Sequence, residues 1–162
     1  MEKNEQYYWD LLEEVKDPEI PVLSVVDLGI VRDVKVQEGV VEIIITPTYS
    51  GCPAMDFIEV NIKSLLQETG EGEITVTTVL HPAWTTDWIS ESGKAKLQAY
   101  GIAPPVGKSP DKSVLFADDV SVPCPRCNSE DTTMVSQFGS TACKSLYKCN
   151  SCKEPFDYFK CH

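Results

Sequence analysis

The spacing of apolar residues changes several times along the first hundred residues. An apolar face from Tyr7 to Val15 predicts a helix that ends before Asp17-Pro18, because proline disfavours helical backbone in the residue before it. Residues 30–37 alternate apolar with polar side chains, which indicates a half-solvated strand. The run Val40–Ile45 is β-branched and almost wholly apolar, and it predicts a strand buried on both faces.

Turn residues and a second helical pattern connect these strands to a third. Glu38-Gly39 predicts a tight turn, so the first two strands should form an antiparallel hairpin. Glycines at 70 and 72 end the next helix, and residues 73–80 predict a third strand. A strand, a helix and a strand in sequence imply that the third strand runs parallel to a neighbour. Apolar residues mark the inner face of that helix: Met55, Ile58, Ile62, Leu65 and Leu66.

A further helix is expected before the composition changes. Asp87 or Thr86 is a suitable cap for a helix that runs through Ile89 to Gly101. The neighbouring tryptophan rings and His81 are expected to pack with their ring nitrogens satisfied, in preference to serving as ligands.

Proline, glycine and serine mark a boundary after this helix. Residues 102–110 contain two adjacent prolines and a third near their end, a composition typical of a linker. We therefore predict a first domain over residues 1–103, a linker over 104–119 and a second domain over 120–162.

The junction between the apolar strand and the central helix carries a single thiol, Cys52. Pro53 suits the first turn of a helix, which places Cys52 at or beside the helix N-cap. Unpaired backbone N–H groups and the positive end of the helix dipole favour a thiolate there. A small buried cysteine that closes a turn is an equally good interpretation of the residue pattern.

The tail contains two C-x-x-C motifs, Cys124-Pro-Arg-Cys127 and Cys149-Asn-Ser-Cys152, with 21 residues between them. This separation slightly exceeds the usual zinc-ribbon spacing, but four thiolates satisfy tetrahedral Zn²⁺ at a closed, structural site. We favour zinc over an iron–sulfur cluster, which four thiolates can also hold. The remaining tail residues with ligand atoms, Cys143, Cys161 and His162, are expected to be an apolar filler and a loose terminus.

Composition and charge narrow the function classes. The chain has 162 residues and a formal net charge of −11, which argues against a nucleic-acid partner and is compatible with a basic or neutral protein partner. No apolar run approaches the roughly 20 residues of a membrane span, and the N-terminus has no signal-peptide layout. The expected location is therefore the cytoplasm, where seven cysteines indicate metal ligands or reactive thiols rather than disulfides.

Motifs spread over nearly the whole chain resemble the PaaD family, also called PaaJ, of accessory proteins encoded with the bacterial phenylacetyl-CoA ring-epoxidising oxygenase. Residues up to about 103 resemble the broader SufT-like domain of iron–sulfur cluster assembly proteins, in which a cysteine occupies the position of Cys52. The motifs that carry the resemblance are Asp17-Pro-Glu-Ile-Pro, Val26-Asp-Leu-Gly-Ile-Val, Thr46-Pro-Thr-Tyr-Ser-Gly-Cys-Pro-Ala-Met, Trp84-Thr-Thr-Asp-Trp-Ile, Gly101-Ile-Ala-Pro-Pro, Phe138-Gly-Ser-Thr-Ala-Cys-Lys and Glu154-Pro-Phe-Asp-Tyr-Phe-Lys-Cys161.

The resemblance implies an α+β domain with a small mixed sheet packed with helices, followed by a zinc ribbon. It also implies a maturation role in aerobic phenylacetate catabolism, with the oxygenase components as partners and the [2Fe–2S] reductase subunit as the expected client. Cys52 would contact a transiently held cluster or iron. Asp27 would orient the loop near it, and Thr48 and Ser50 would donate hydrogen bonds to its sulfur.

Two other functions remain open. The chain could be a non-catalytic structural subunit of the oxygenase, with Cys52 merely packed. A thiol enzyme is the weakest hypothesis, because neither His81 nor His162 lies in a motif that would place a base beside Cys52. We therefore expect an accessory protein without catalytic residues, and a homodimer formed through an exposed sheet edge is a further expectation.

Overall fold

The computed structural model describes residues 3–49, 51–70, 72–106 and 121–160. Its contacts divide the chain into two compact units. The first unit comprises Met1–Trp84 with Trp88–Ser90, and the second comprises Thr85–Asp87 with Glu91–His162. Within the described residues, no helix combines the length and the apolar content needed to cross a lipid bilayer.

A three-stranded mixed sheet forms the centre of the first unit. The order is β1-β2-β3, with the first pair antiparallel and the second pair parallel, so the predicted hairpin and the predicted parallel third strand are confirmed. Glu38 and Gly39 both have positive φ, the backbone that a two-residue hairpin turn requires. The elements are α1 (Glu5–Leu12), β1 (Val31–Gln37), β2 (Val40–Ile45), α2 (Ala54–Gln67) and β3 (Glu73–Thr78).

The predicted burial of β2 on both faces is wrong. Val41, Ile43 and Ile45 are fully buried, whereas the alternate residues are only partly buried. The reason lies in the polar side chains of the second face, where Glu42 accepts a hydrogen bond from Thr77 at 2.9 Å and approaches Lys35 at 3.8 Å. The strand is therefore central in the sheet, yet only one of its faces belongs to the core.

The first helix is shorter than its apolar face suggests. Asn4 caps α1 by accepting the Tyr7 amide at 3.0 Å, and the helix ends at Leu12. Val15 is buried outside the helix, where its carbonyl accepts the amide of Val25 at 2.9 Å. The burial of Val15 after the helix has ended accounts for an apolar period that continues beyond Leu12.

The second unit is built on a four-stranded sheet in the order β4-β7-β6-β5, in which β4 and β7 are parallel and the other pairs are antiparallel. After the first C-x-x-C motif, β5 and β6 form an antiparallel pair. The apolar core of the second unit contains Ala103, Val122, Cys124, Tyr147, Cys149 and Phe156. The elements are α3 (Glu91–Tyr100), β4 (Ile102–Ala103), β5 (Thr132–Ser136), β6 (Lys144–Cys149) and β7 (Pro155–Phe159).

The single helix predicted from Thr86 or Asp87 to Gly101 is wrong. A 3₁₀ helix over Thr86–Trp88 is followed by a separate α3. The Ser90 amide donates to the Asp27 carbonyl at 2.8 Å, so it is not used in an i to i−4 bond of the kind that continues an α-helix.

The predicted boundary at residue 103 does not follow the grouping of contacts. Helix α3 and strand β4 cluster with the C-terminal sheet, because Ile102 and Ala103 pair with Asp157 and Tyr158 of β7. Residues 107–120 lie outside the described residues, so the linker over 104–119 stays a prediction.

Gly29 provides a test of the packing between two distant segments of the first unit. Its φ is +71°, and an added Cβ would lie 2.5 Å from the Trp88 carbonyl oxygen. Gly29→Ala should therefore lower the free energy of unfolding of this unit by about 2–4 kcal/mol, from backbone strain plus overpacking. Gly39→Ala is the matched control, because φ is +82° there but nothing lies within 4 Å of the added carbon, and only strain of about 1 kcal/mol is expected.

Urea unfolding followed by tryptophan fluorescence measures both variants, because all three tryptophans of the chain lie in the first unit. Equal losses in the two variants would contradict the steric role assigned to Trp88.

Candidate functional site: a thiol at a strand-to-helix turn and a four-cysteine cluster

Cys52 lies where the chain passes from β2 into α2. Pro53 is the N-cap residue, with a φ of −68°, and Cys52 precedes it directly. The Cys52 amide donates to the Tyr49 carbonyl at 3.2 Å, and its own carbonyl accepts the Met55 amide at 3.2 Å. The side chain is half-buried. These bonds place a partly accessible thiol beside the first turn of a helix, as the sequence predicts.

Of the two hydroxyl groups predicted to donate to the Cys52 sulfur, the one that the structure describes near it belongs to Thr48. Thr48 Oγ1 donates to Cys52 Sγ at 3.9 Å, a long contact even for sulfur. The other predicted donor, Ser50, lies outside the described residues. The role of Thr48 toward a bound cluster stays a prediction, although its position agrees with that role.

Thr46, in the same turn, is a residue that sequence reasoning missed. Its side chain is fully buried, and among the described residues its hydroxyl has no hydrogen-bond partner. Burying such a hydroxyl costs about 1–3 kcal/mol. The only sequence signal was a threonine placed between a buried strand and a proline, which is too common a pattern to single it out.

Asp27 is buried, with 3% of its surface exposed, and its carboxylate is held by hydrogen bonds. Oδ2 accepts the Ser24 amide at 3.2 Å, and Oδ1 accepts the Ser90 hydroxyl at 3.0 Å. The same segment reaches the Cys52 turn through its backbone, because the Thr46 amide donates to the Ile30 carbonyl at 2.9 Å. Asp27 thus shapes the segment that supports the turn, and its action on the Cys52 loop itself stays a prediction.

Trp84 follows the packing interpretation, Trp88 is half-buried, and His81 does not pack. Trp84 is buried and its indole nitrogen donates to the Leu28 carbonyl at 2.7 Å. The Trp88 ring lies under the guanidinium of Arg32, at 3.5 Å from the ring centre. His81 is exposed, so the expectation that it packs is wrong. His81 comes after the end of β3, beyond the buried core of the first unit.

The four cysteines of the two C-x-x-C motifs converge at one end of the C-terminal sheet. Their sulfurs all lie within 4.8 Å of one another. Two pairs are closer, with Cys124 and Cys152 at 3.8 Å and Cys127 and Cys149 at 3.5 Å. Sulfurs about 2.3 Å from a tetrahedral zinc ion would be about 3.8 Å apart. The donor set and its spacing therefore fit a single four-thiolate metal ion.

The two turns that carry these cysteines have the same construction. Each second cysteine is followed by a residue with positive φ, Asn128 at 61° in one turn and Lys153 at 66° in the other. The turns are also joined to each other, because the Ser129 and Ser151 hydroxyls are 2.7 Å apart. The paired turns hold the sulfurs close together even though 21 residues separate the motifs.

Backbone amides in the second turn favour thiolate formation at Cys149. The Cys152 amide donates to Cys149 Sγ at 3.4 Å, and this bond is the largest influence that lowers the pKa of Cys149, to about 6. For Cys152 the Glu154 amide acts to lower the pKa, but burial and the three neighbouring thiols together raise it to about 12. Without metal the cluster would hold protons that binding of a metal ion must displace.

Cys143 lies outside this cluster and is buried. Its sulfur is 3.0 Å from the Thr141 hydroxyl. This position agrees with the expected role of an apolar filler. Cys161 and His162 lie outside the described residues.

Two family models match separate parts of the chain. The model described as an iron–sulfur cluster assembly protein matches residues 8–79, which include the Cys52 turn. The model described as a PaaD zinc beta ribbon domain matches residues 108–160, which include all four clustered cysteines. The Cys52 turn and the four-cysteine cluster thus lie in segments that match two different domain families.

Known proteins are similar to the first domain alone or to nearly the entire chain. YitW of Bacillus subtilis (strain 168), named as an iron–sulfur protein maturation auxiliary factor, is 40% identical over 53% of this chain and 85% of its own length. The crystal structure of a domain of unknown function from Bacillus anthracis has a TM-score of 0.55 and 33% identity, and covers 57% of this chain and 90% of its own. The structural match agrees with the predicted fold of the first domain.

A protein of Escherichia coli (strain K12) is named as one of the subunits of 1,2-phenylacetyl-CoA epoxidase. It is 50% identical to this chain over 154 residues, which are 94% of this chain and 90% of the relative. With an α+β assembly domain, a zinc-ribbon domain and this extent of identity, the chain belongs to the PaaD family.

Proposed function

We propose that this chain is a maturation factor that assists assembly or insertion of the iron–sulfur or iron centre of a phenylacetyl-CoA oxygenase. The observation that carries the proposal is the half-buried Cys52 thiol beside the N-terminus of α2, in a domain matched by an iron–sulfur cluster assembly family. The name of the E. coli relative supports the oxygenase as the system served.

Cys52 acts in this proposal as a contact for cargo rather than as a ligand of a resident centre. A cysteine sulfur is a soft ligand for iron. Among the described residues, the group of close metal-ligating side chains is the four-cysteine cluster, and Cys52 is not part of it. One protein thiol would hold a cluster or iron weakly enough to release it, with Thr48 hydrogen-bonded to the sulfur and Asp27 stabilising the supporting segment.

The four-cysteine cluster serves structure in this proposal. Zn²⁺ bound by Cys124, Cys127, Cys149 and Cys152 has no open coordination position, so it would cross-link the two turns and supply no reaction step. The core of this sheet is small, and metal binding would contribute much of its folding free energy.

The naming of the relative as an epoxidase component favours a second candidate function, that of a non-catalytic structural subunit of the oxygenase. Co-purification separates the two functions. A structural subunit stays in stoichiometric complex with active oxygenase, whereas a maturation factor leaves it. We propose that the partners are oxygenase components and that the client is the [2Fe–2S] reductase component.

The zinc assignment predicts about one Zn²⁺ per chain by elemental analysis of the full-length protein. Cys149→Ser should abolish stoichiometric zinc and unfold the C-terminal sheet, because it removes one of four ligands. Tryptophan fluorescence should still report a folded first unit. Cys143→Ser is the matched control and should keep its zinc, because Cys143 lies outside the cluster. Retention of stoichiometric zinc by Cys149→Ser would defeat the assignment.

The maturation role predicts a metal defect in cells that lack this protein. Such cells should make the oxygenase polypeptides but fail to oxidise phenylacetyl-CoA, and the purified oxygenase components should carry less iron and sulfide. Full iron and cluster content with normal turnover in these cells would show that the maturation role is wrong.

Cys52 itself is tested by complementation of the same cells. Cys52→Ser should fold and bind zinc normally but leave the oxygenase as metal-poor as in the deletion, because the contact thiol is gone. Cys143→Ser should restore metal content, because that thiol is buried and lies outside both sites. Restoration by Cys52→Ser would instead assign Cys52 to packing of the turn.

A further inference from the structure

The outer face of α2 carries two apolar side chains in its first half, where a solvent-facing helix surface would ordinarily be polar. The inner face is buried and comprises Ala54, Ile58, Ile62 and Leu66. On the outer face, Phe57 is 54% exposed and Val60 is 61% exposed. These two residues are three positions apart and therefore neighbours on the helix surface. Together they form an apolar patch, hereafter the α2 patch.

The α2 patch lies at the end of the helix that begins beside Cys52. With a rise of 1.5 Å per residue, Phe57 and Val60 lie about 4.5 and 9 Å along the axis from the first residue, Ala54. Farther along the same face the exposed residues are polar, Ser64 and Gln67. The apolar surface is thus confined to the half of α2 that is nearest to the Cys52 thiol.

The charged side chain next to the α2 patch that lacks a salt-bridge partner among the described residues is acidic. Glu59 and Lys63 pair with each other at 2.6 Å, so their charges largely cancel. Asp56 is exposed next to Phe57, and no salt bridge joins it to any other residue that the structure describes. The whole chain carries a formal net charge of −11. A second copy of the chain would bring the same negative charge to this surface, whereas a basic partner surface would be attracted to it.

We propose that the α2 patch docks the acceptor protein, through an apolar depression that receives Phe57 and Val60 and is rimmed by basic side chains. This inference rests on the proposed function and names the surface through which Cys52 reaches its client. Aromatic residues are enriched at the centres of protein interfaces, and a patch of two exposed side chains suits a contact that forms and releases. Docking here would bring the acceptor to the end of α2 where the thiol lies.

The chain offers a control pair that matches the α2 patch in residue type and exposure. Val135 is 59% exposed and Phe138 is 58% exposed, and both lie in the second unit. We therefore compare the full-length double variants Phe57→Ser/Val60→Ser and Val135→Ser/Phe138→Ser. The probe is the purified apo form of the oxygenase reductase component. Zinc content and tryptophan fluorescence establish that each variant is folded.

Loss of the α2 patch should weaken binding of the apo reductase about tenfold or more, since truncation of central anchors has effects of this size. The control pair should bind within about twofold of the unchanged protein. Binding should also weaken as the salt concentration rises, because the partner rim is basic. Equal binding by both variants, equal loss in both, or a loss confined to the control pair would overturn the proposal.

Two further measurements separate this proposal from the one on which it rests. Cys52→Ser should bind the apo reductase normally yet fail to raise its cluster content. If the Phe57→Ser/Val60→Ser variant binds normally while the unchanged protein raises that content, the docking surface is wrong and the maturation role stands. If the unchanged protein never raises it, the maturation role fails. Sedimentation equilibrium tests self-association, and a dimer that the α2 patch variant dissociates would make a second copy the occupant and overturn the proposal.

Discussion

The segment from Ser24 to Ile30 is the part of the first unit on which the others depend, because it exchanges hydrogen bonds with residues far away in sequence. The Val25 amide donates to the backbone carbonyl of Val15, the Thr46 amide to that of Ile30, and the Ser90 amide to that of Asp27. The Asp27 carboxyl group is buried in this segment, and burial of a polar group is costly unless it is hydrogen-bonded. The Ser24 amide and the Ser90 hydroxyl satisfy that carboxyl group, and the backbone bonds of the segment hold the chain before β1 and the entry to the Cys52 turn.

Hydrogen bonds of this kind explain why some elements of the fold could be predicted from the sequence and others could not. The β1–β2 hairpin and the helix α2 depend on local signals, a turn at Glu38-Gly39 and an apolar period of three and four, and both were predictable. The interruption at Ser90 depends on a hydrogen bond to the distant Asp27, and α1 ends in a tight turn in which the Val15 amide donates to the Leu12 carbonyl three residues back. Periodicity carries no information on such bonds, so local patterns extended both helices too far.

The candidate sites were also predictable from the sequence only in part. Paired C-x-x-C motifs predict a four-sulfur cluster, because the short spacing fixes half of the ligand geometry and the donor chemistry supplies the rest. The location of Cys52 beside α2 follows from Pro53 and the preceding apolar strand. The buried hydroxyl of Thr46 was not predictable, because the local sequence does not tell which side chains the tertiary structure covers. Phe57 falls outside the apolar period that predicts the inner face of α2, and the structure leaves it exposed.

The parallel pairing of β4 with β7 has a consequence for the order in which the second unit can form. Ile102 pairs with Asp157, so the strand that follows α3 finds its partner among the described strands only when the last part of the chain is present. The strand β7 itself follows directly after the cluster turn at Cys152. A contact that joins such distant residues forms late, since its long loop must close first. Metal binding by the cysteines would shorten the loop that must close before β4 and β7 can pair. Binding of the ion and attachment of α3 to the sheet would then be successive steps of one folding process.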